Sequence, residues 1–445
     1  MYFLHYVSVI DTRSKMIKMK NKKNLATEIQ EQERQEPIIT SFLDSDQYKF
    51  TMGQFAFRRY PDVPVKYRFK NRTKVKLADV IDEKDLRTEL ESLQNLKPTA
   101  EELDYLRTLK NNGERLFGKD YLSFLETISL PNYNLKTKNG NFQIEFSGPW
   151  SKSIYWETPT LSIMNELYYR GLTKNFDKEQ LNDLYEIGKL RLDAKIDLLN
   201  QNPNIRFLEF GTRRRFSKAW QDYVVKRLKE GVPKQLIGTS NVYLAMKYGL
   251  PPTGTKAHEM FMIMSGIMHE NDDEIRASHN QVLKEWWDEY GYGLSVALTD
   301  TYGSDFFFKD MSQEQAEDYK GLRQDSGGIE SFGNKQIKFY KSKGINPQEK
   351  LMVPSDGLDI EKIIDTEDKF EGRIRKAYGW GTNLTNDLGL ASLSIVVKAT
   401  ESCGYGTVKL SDNPAKAMGK PEDIARFMKI FEYDPSKYEY EVCRY

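Results

Sequence analysis

Six short segments in the second half of the chain combine glycine, hydroxyl, carboxylate and guanidinium groups, each where a predicted strand ends. They are Glu209–Arg215, Gly238–Asn241, Thr299–Thr301, Arg323–Gly327, Ser355–Asp359 and Gly379–Asn383. Backbone N–H groups at glycines suit phosphate, and carboxylates suit sugar hydroxyls or Mg²⁺. One such segment is weak support, because loops are generally rich in Gly, Ser, Thr and Asp. Six segments at one edge of a sheet together predict a site for a phosphorylated sugar.

The phosphate-binding candidates lie in two of these segments. Gly211–Thr212 opens a predicted helix, and Gly379–Thr382 offers further N–H and hydroxyl groups. Of the three guanidinium groups at Arg213–Arg215, at most two can face one ligand, because successive helical residues point about 100° apart. We expect Arg214 to be solvated or ion-paired, and Arg213 and Arg215 stay candidates for binding the phosphate groups.

Three aspartates are candidates for the sugar end of the ligand. Asp325, Asp356 and Asp359 each follow a predicted strand, where their carboxylates could hold ribose hydroxyls or a Mg²⁺ ion. The sequence alone names no protein ligand for that ion.

His258 lies close in sequence to a hydroxyl, an amine and a carboxylate, because Gly254–Lys256 precedes it and Glu259 follows it. It also precedes an apolar run, so a structural role and a catalytic role both stay open at this point. His269 and His279 lie among charged and polar residues without metal-ligand spacing. We therefore expect them on helix surfaces, and zinc is not supported.

The elements that must position these groups are short strands alternating with helices, which predict parallel βαβ units. The predicted strands are Ile205–Phe210, Gln235–Gly238, Leu294–Leu298, Gly321–Arg323, Leu351–Val353, Ala377–Tyr378 and Leu393–Lys398. In such α/β folds, either a barrel or a doubly wound sheet, ligands bind at the carboxyl ends of the strands. This is where the polar segments lie.

An α+β unit precedes these strands, over residues 41–165. A capped helix is predicted from Ser41 to Tyr60, and Val65–Phe69 and Phe142–Phe146 alternate as half-buried strands do. Residues 1–40 differ, with a lysine-rich run followed by an acidic, glutamine-rich one. Their low hydrophobicity predicts a disordered or loosely attached extension.

Composition excludes several classes of protein. The 445 residues include 66 Lys+Arg and 65 Asp+Glu, so no net charge attracts nucleic acid or an anionic membrane. Two cysteines, Cys403 and Cys443, are too few for a disulfide scaffold. No transmembrane stretch or secretory signal is recognisable. We expect a soluble cytoplasmic protein, and a nuclear pool is compatible with the sequence.

Seven ordered motifs resemble the nicotinate phosphoribosyltransferase family, which belongs to the type II phosphoribosyltransferases. They are Leu43–Met52, Glu209–Arg215, Gly238–Asn241, Gly254–His258, Leu298–Thr301, Arg323–Gly327 and Gly381–Thr382. The similarity runs from about Ser41 to Lys416. It implies an irregular parallel α/β barrel over 166–390, beside an α/β sandwich domain formed by 41–165 and joined by 391–445.

The resemblance also implies a reaction in NAD salvage. Nicotinate is joined to 5-phosphoribosyl 1-pyrophosphate, giving nicotinate mononucleotide and pyrophosphate, while ATP is hydrolysed to ADP and phosphate with Mg²⁺ present. This activity is classed as a C–N ligase. The family's phosphorylated histidine corresponds to His258, and Asp325 is the candidate for holding the ribose hydroxyls.

The binding residues follow from the same resemblance. Those for nicotinate are Tyr48, Phe210, Ser240, Thr255 and Arg323, and those for phosphoribosyl pyrophosphate are Arg213, Ser355, Asp356, Gly381 and Thr382. Active sites lie at a homodimer interface in the family, so Tyr48 is expected to complete the neighbour's site. Relatives that use nicotinamide carry a carboxylate where this chain has Ser240. A serine hydroxyl can donate to nicotinate, so we predict the acid over the amide.

Two features qualify the resemblance. Ser326–Ile329 follows Asp325 where members commonly have a further aspartate after the glycine, so a second carboxylate role there is not supported. Glu157, within Tyr155–Pro159, is expected to be structural, either capping a helix or pairing with an arginine.

Other functions stay open on the sequence. A relative that uses nicotinamide or quinolinate is the nearest alternative. A phosphosugar aldolase or isomerase would need a Schiff-base lysine, for which Lys256 and Lys398 are candidates. A nucleotide-binding regulator without turnover is disfavoured because His258, Arg323 and Asp325 are all retained.

Overall fold

The computed structural model describes residues 37–440. Its strands are β1 Pro64–Asn71, β2 Lys110–Asn111, β3 Glu114–Arg115, β4 Tyr133–Lys138, β5 Asn141–Pro149, β6 Phe207–Glu209, β7 Leu236–Thr239, β8 Val296–Leu298, β9 Gly321–Gln324, β10 Leu351–Pro354, β11 Arg375–Lys376, β12 Tyr378–Trp380, β13 Ile395–Ser402 and β14 Tyr405–Gly406. Its α-helices are α1 Gln47–Arg59, α2 Glu83–Asn95, α3 Ala100–Thr108, α4 Lys119–Glu126, α5 Trp150–Ser153, α6 Glu157–Thr173, α7 Lys178–Gln201, α8 Lys218–Gly231, α9 Val242–Tyr248, α10 His258–Ile267, α11 Asp272–Tyr290, α12 Ser304–Asp310, α13 Gln313–Asp318, α14 Ile329–Ser342, α15 Ile360–Lys369, α16 Thr382–Thr385 and α17 Pro421–Ile430.

An antiparallel sheet joins the two ends of the described chain. Its five strands lie in the order β14-β13-β1-β5-β4. Along β1, buried and solvent-facing residues alternate, as expected for a strand with one face on the core. Because β13 pairs with β1, the C-terminal segment contributes a strand to the same sheet as the N-terminal strands.

The parallel strands form two sheets, β7-β6-β12 and β8-β9-β10-β11. Short strand β11 pairs with β10, and β12, which follows directly, pairs with β6. Between them the Ala377 N–H donates to the Met352 carbonyl at 3.1 Å, which links the two sheets. The predicted α/β class, with parallel strands beside an antiparallel N-terminal sheet, is therefore confirmed. Leu393–Lys398, predicted among the parallel strands, lies instead at the start of antiparallel β13.

The predicted domain boundaries can be located on the structure, and the division into domains itself stays a prediction. Ile38 and Ile39 are buried, and the Ile38 N–H donates to Glu89 Oε2 at 2.8 Å, so the packed chain begins before residue 41. Residues 1–36, where the extension is predicted, lie outside the described residues. The boundary at 165/166 falls inside α6, a continuous helix that contacts β13 and α2.

The prediction of a surface position is wrong for His279. Its side chain is buried, with Nδ1 2.6 Å from Asp310 Oδ2 and its ring stacked on Phe261. Its charged sequence neighbours lie on other faces of α11, because helical residues one or two apart point in different directions. Phe306 and Phe307 are core residues.

Among residues 37–440, no helix has both the length and the apolar character required to span a bilayer.

Candidate functional site

A cationic cleft lies where the carboxyl ends of β6, β9, β10 and β12 meet the C-terminal segment. Its lining residues include seven lysine or arginine side chains against two aspartates: Arg72, Arg213, Arg214, Arg323, Lys398, Lys409, Lys416, Asp325 and Asp356. The space between them is about 910 Å³, including solvent at the mouth. This excess of positive charge suits a ligand with several phosphate groups.

His258 is held at the cleft by two partners. Its Nε2 lies 3.0 Å from Asp325 Oδ2, and its Nδ1 lies 3.0 Å from the Thr301 hydroxyl. It is the first residue of α10, so its position is set by the point where that helix begins. His258 and Asp325, 67 residues apart in sequence, are thus in direct contact.

The protonation states follow from burial and charge. Burial, with Lys409 nearby, lowers the pKa of His258 to about 4, so the imidazole is neutral near pH 7. Burial would raise the pKa of Asp325, but Arg323 and His258 outweigh it and hold that pKa well below its usual value. A carboxylate can only accept, so His258 Nε2 carries the proton that is donated to Asp325. The Nδ1 lone pair then accepts from the Thr301 hydroxyl.

Asp300 brings a second carboxylate to the same point. Oxygen and nitrogen atoms of His258, Asp300 and Asp325 lie within 4.8 Å of one another. Asp300 Oδ1 is buried and has no hydrogen-bond partner among the described residues. Two carboxylates, one with an unpaired buried oxygen, fit a hard cation such as Mg²⁺. Sequence reasoning missed Asp300, although it lies in the Leu298–Thr301 motif.

Arg323 and Ser355 hold the carboxylate of Asp325 from the other side. The Arg323 guanidinium donates from Nη2 to Asp325 Oδ1 at 2.8 Å and from Nε to the Ser355 hydroxyl at 2.8 Å. Because β9 and β10 are adjacent and in parallel register, these side chains leave the same edge of the sheet. Both residues line the cleft.

Tyr48 and Phe210, two of the residues predicted to bind nicotinate, form an aromatic pair. Their rings stack with centroids 6.3 Å apart and planes inclined by 21°. The two stacked faces are of the kind that suits a flat aromatic ligand.

Within this one chain the ring of Tyr48 already meets that of Phe210, and the prediction that Tyr48 completes the neighbouring subunit's site stays a prediction. Helix α1 is tied to the parallel sheets directly before Tyr48. The Gln47 N–H donates to the Ser240 carbonyl at 2.7 Å, and Asp46 bridges to Asn241. The homodimer itself also stays a prediction, and the contact between Tyr48 and Phe210 forms without a second subunit.

Ser240 and Thr255 are not among the described residues that line the cleft. Ser240 is buried, and its hydroxyl donates to Asp46 Oδ1 at 2.7 Å. A hydroxyl has one proton, so in this arrangement Ser240 has none left for a nicotinate carboxylate. Thr255 is half-buried, and its carbonyl accepts from the Thr51 hydroxyl.

The three consecutive arginines divide differently from the expectation. Arg213 and Arg214 both line the cleft, whereas Arg215 is buried and donates to both Asp44 oxygens, at 2.6 and 2.8 Å. Arg214 thus lies at the cleft, and whether it is solvated or ion-paired there stays a prediction. The turn over Thr212–Arg214 is a 3-10 helix rather than an α-helix, which changes the direction of each side chain.

The remaining predicted residues sit at the ends of β10 and β12. Asp356, Gly381 and Thr382 line the cleft, and Asp356 Oδ1 lies 2.6 Å from Lys416 Nζ. Asp359 is not among the lining residues that the structure describes. It caps α15, where its side chain accepts from the Lys362 N–H.

Sequence reasoning missed the cations that come from outside the parallel sheets. Arg72 follows β1, Lys398 lies in β13, and Lys409 and Lys416 lie in the C-terminal segment. Lys416 ends the last segment of the resemblance, which was a signal that could have been used. Lys398 was considered only as a Schiff-base lysine.

Lys256 does not support Schiff-base chemistry, because it is away from the cleft. It is fully buried, with Nζ 5.2 Å from the ring centroid of Trp286 and 5.0 Å from that of Tyr319. Nζ has no hydrogen-bond partner among residues 37–440. Burial lowers its pKa to about 7.

Replacing Lys256 with methionine should raise the free energy of unfolding at pH 7, by about 1–4 kcal/mol. Between pH 7 and 10.5 the unfolded chain binds more protons at Lys256 than the folded chain, so wild-type stability rises with pH there. The increase in the free energy of unfolding caused by Lys256→Met should therefore be largest at pH 6 and smaller at pH 9. Denaturant unfolding of the variant and of wild type at both pH values measures this difference.

Lys350→Met is the matched control. Lys350 Nζ is hydrogen-bonded to backbone carbonyls, including that of Tyr319 at 2.8 Å, so its loss should lower stability. A Lys256→Met protein less stable than wild type at pH 6 would contradict the first prediction.

Comparison with known proteins identifies the family. The model described as the nicotinate phosphoribosyltransferase (NAPRTase) family matches residues 205–435, and that of the family's N-terminal domain matches 43–165. The chain belongs to the nicotinate phosphoribosyltransferase family. It is therefore a phosphoribosyltransferase, and the resemblance drawn from the seven motifs is confirmed.

Solved structures of similar proteins support the same family assignment. A nicotinate phosphoribosyltransferase from Porphyromonas gingivalis is 30% identical with a TM-score of 0.79, over 89% of this chain and 100% of that one. One from Vibrio cholerae is 30% identical with a TM-score of 0.79, over 92% and 96%. A putative one from Saccharomyces cerevisiae is 30% identical with a TM-score of 0.77, over 90% and 99%. The family fold thus extends over nearly all the described chain.

Proposed function

We propose that this chain is an ATP-coupled nicotinate phosphoribosyltransferase. It joins nicotinate to 5-phosphoribosyl 1-pyrophosphate and hydrolyses ATP through a transient phosphohistidine at His258. The observation that carries the proposal is the contact of a neutral His258 with ionised Asp325 at the edge of a cleft lined by seven cationic side chains.

The cleft supports binding of phosphoribosyl pyrophosphate. The pyrophosphate lies among cations such as Arg213, Lys398 and Lys409, whose charge balances the leaving group. The 5-phosphate lies at Gly381–Thr382, where N–H and hydroxyl groups are available. Asp325 accepts from the ribose hydroxyls, with Asp356 beside it.

In the transfer step, the nicotinate ring nitrogen attacks the anomeric carbon while the bond from that carbon to pyrophosphate breaks. The electron pair of the breaking bond leaves with pyrophosphate, and positive charge develops on the sugar. The Asp325 carboxylate stabilises that charge and fixes the ribose. Tyr48 and Phe210 hold the nicotinate ring flat, and the Arg323 guanidinium, 5.4 Å from the Phe210 ring centroid, is the cation nearest that face.

The hydrogen bonds of His258 support phosphorylation on Nδ1. Asp325 takes the Nε2 proton, so the lone pair is on Nδ1, where only the Thr301 hydroxyl must move away. Nδ1 attacks the γ-phosphorus of ATP, and the bond from that phosphorus to ADP breaks. The phosphoryl group adds about two negative charges beside Lys409. This raises the affinity of the cleft for its substrate until the phosphohistidine is hydrolysed.

Asp300 and Asp325 are the residues that would hold Mg²⁺. When bound, Mg²⁺ neutralises charge on the pyrophosphate and on ATP. The unpaired, buried Oδ1 of Asp300 supports this assignment.

Pyrophosphate release tests the proposal directly. The purified chain is supplied with phosphoribosyl pyrophosphate, Mg²⁺ and one of nicotinate, nicotinamide or quinolinate, each with and without ATP. We expect release with nicotinate and stimulation of that release by ATP. Faster turnover of nicotinamide or quinolinate would replace the proposed substrate, and no turnover of any of the three would contradict the proposal.

Ser240→Asp should raise the KM for nicotinate by at least about 10-fold. The new carboxyl group would lie beside Asp46, and the negative charge added there repels the nicotinate carboxylate through a poorly screened interior. Steady-state kinetics with nicotinate and nicotinamide measure the change. The control is Ser240→Asn, because asparagine has the size of aspartate but no charge. An equal KM for nicotinate in both variants would show that the charge at position 240 does not cause the change.

A further inference from the structure

Glu157 contacts three cations at the boundary of the two domains. Its Oε2 lies 2.5 Å from Lys49 Nζ, and its Oε1 lies 3.1 Å from Lys398 Nζ and 3.9 Å from Arg213 Nη1. The Glu157 side chain is only 2% exposed. The sequence suggested a cap or an arginine partner for Glu157, and it did not include this residue in the site.

We propose that Glu157 is a positioning residue for the pyrophosphate end of the cleft, where it holds Lys398 and Arg213 side by side. This inference rests on the proposed function. Lys398 and Arg213 both line the cleft, whereas Glu157 does not. Glu157 therefore acts on substrate through these two cations.

The three cations come from separate parts of the fold. Lys49 lies in α1, Arg213 in the turn after β6, and Lys398 in β13 of the antiparallel sheet. Asp46 Oδ2 also lies 3.3 Å from Arg213 Nε, but only Glu157 faces both Arg213 and Lys398, which would otherwise repel each other in a poorly solvated wall. The carboxylate of Glu157 makes it favourable for both to stay there in the absence of substrate, so less reorganisation is needed when a phosphate arrives.

The carboxylate is itself held in orientation. Lys49 Nζ bridges Glu157 Oε2 and Glu259 Oε2, at 2.5 Å each. Glu259 in turn accepts from the Tyr67 hydroxyl at 2.7 Å and from Trp150 Nε1 at 2.9 Å. With Oε2 occupied by Lys49, Oε1 is directed toward the two cleft cations.

The charge state fits this role. Burial would raise the pKa of Glu157, but Lys398, Lys49 and Arg213 outweigh it and hold the pKa far below its usual value. The carboxylate is therefore ionised, as its three partners require.

Glu157→Gln tests the inference, because it removes the charge and keeps the size. We expect pyrophosphate to bind on the order of 10- to 100-fold more weakly, measured by titration calorimetry. The KM for phosphoribosyl pyrophosphate should rise by a similar factor, with a smaller change in kcat. The KM for nicotinate should change less, because Glu157 reaches Tyr48 only through Lys49 and Arg213, which lie 5.4 and 5.7 Å from the Tyr48 ring centroid.

Glu166→Gln is the matched control on the same helix. Glu166 is as buried as Glu157 and pairs with Arg170 at 2.7 Å, and neither residue lines the cleft. It should lose stability without losing affinity for pyrophosphate. In a Lys398→Met background, Glu157→Gln should weaken pyrophosphate binding less than it does in wild type, because one cation that it positions is gone.

An affinity of Glu157→Gln for pyrophosphate equal to that of Glu166→Gln would overturn the inference. If Glu157→Gln does not fold, Glu157→Asp replaces it, since the shorter side chain keeps the charge but withdraws Oε1. Unchanged pyrophosphate binding in Glu157→Asp then overturns the inference. Because calorimetry with pyrophosphate needs no turnover, a wild-type protein that binds pyrophosphate but does not use nicotinate contradicts only the proposed function.

Discussion

Replacing His258 with asparagine should abolish the stimulation of nicotinate transfer by ATP and leave a slow transfer that ATP does not change. Asparagine keeps polar atoms near Asp325 and Thr301 but has no ring nitrogen that can accept a phosphoryl group. Incorporation of labelled γ-phosphate into the protein should fall by more than about 100-fold. Pyrophosphate release with and without ATP measures the loss of coupling.

The control for this variant is His279→Asn. His279 is also a buried histidine next to an aspartate, Asp310, but it lies in the packing between α11 and the aromatic residues around Phe261. Its replacement should lower stability and leave the ratio of rates with and without ATP unchanged. Retained ATP stimulation in His258→Asn would exclude His258 as the phosphorylated residue.

Asp325→Asn should lower kcat/KM for phosphoribosyl pyrophosphate by about 10²- to 10³-fold. Asp325 accepts from Arg323, His258 and Ser355 at 2.8 to 3.1 Å, so its charge fixes three residues of the cleft as well as the ribose. The amide removes the negative charge that opposes the developing sugar cation, and it no longer fixes the proton on His258 Nε2. Label incorporation from ATP should therefore fall together with the transfer rate.

Asp359→Asn is the control for Asp325. Both aspartates follow strands of the same parallel sheet, but Asp359 caps α15 and is not among the described lining residues. The asparagine is itself a good cap, so stability should change little and kinetics not at all. An Asp325→Asn enzyme with near-normal kcat/KM would place the ribose contact elsewhere.

The strand-end segments were the most reliable guide to the site. Arg323, Asp325, Ser355, Asp356 and the Gly381–Thr382 pair all line the cleft. Arg323 lies in β9 and the others directly follow a parallel strand, so their positions depend on a few residues of local geometry. Because parallel neighbours end at one edge, convergence follows from the strand pattern itself.

Other contacts depend on pairing over long sequence separations. Lys398 and Lys416 reach the cleft because β13 pairs with β1, an arrangement that no local pattern specifies. Likewise, the ring of Tyr48 meets Phe210 within one chain because α1 is hydrogen-bonded to the segment after β7. The resemblance alone could not decide whether such a contact lies within a subunit or between two.

The amino-acid sequence by itself determined the α/β class, the family and the polar strand ends, since these depend on residue type, on period and on short spacings. Only the tertiary structure decided that Arg214 faces the cleft, that Ser240 gives its proton to Asp46 and that Lys256 is enclosed by aromatic rings. The physical reason is that charge, hydrogen bonding and burial act between atoms near in space. For side chains such as Glu157 and Lys398, separated by 241 residues, that proximity exists only after the chain has folded.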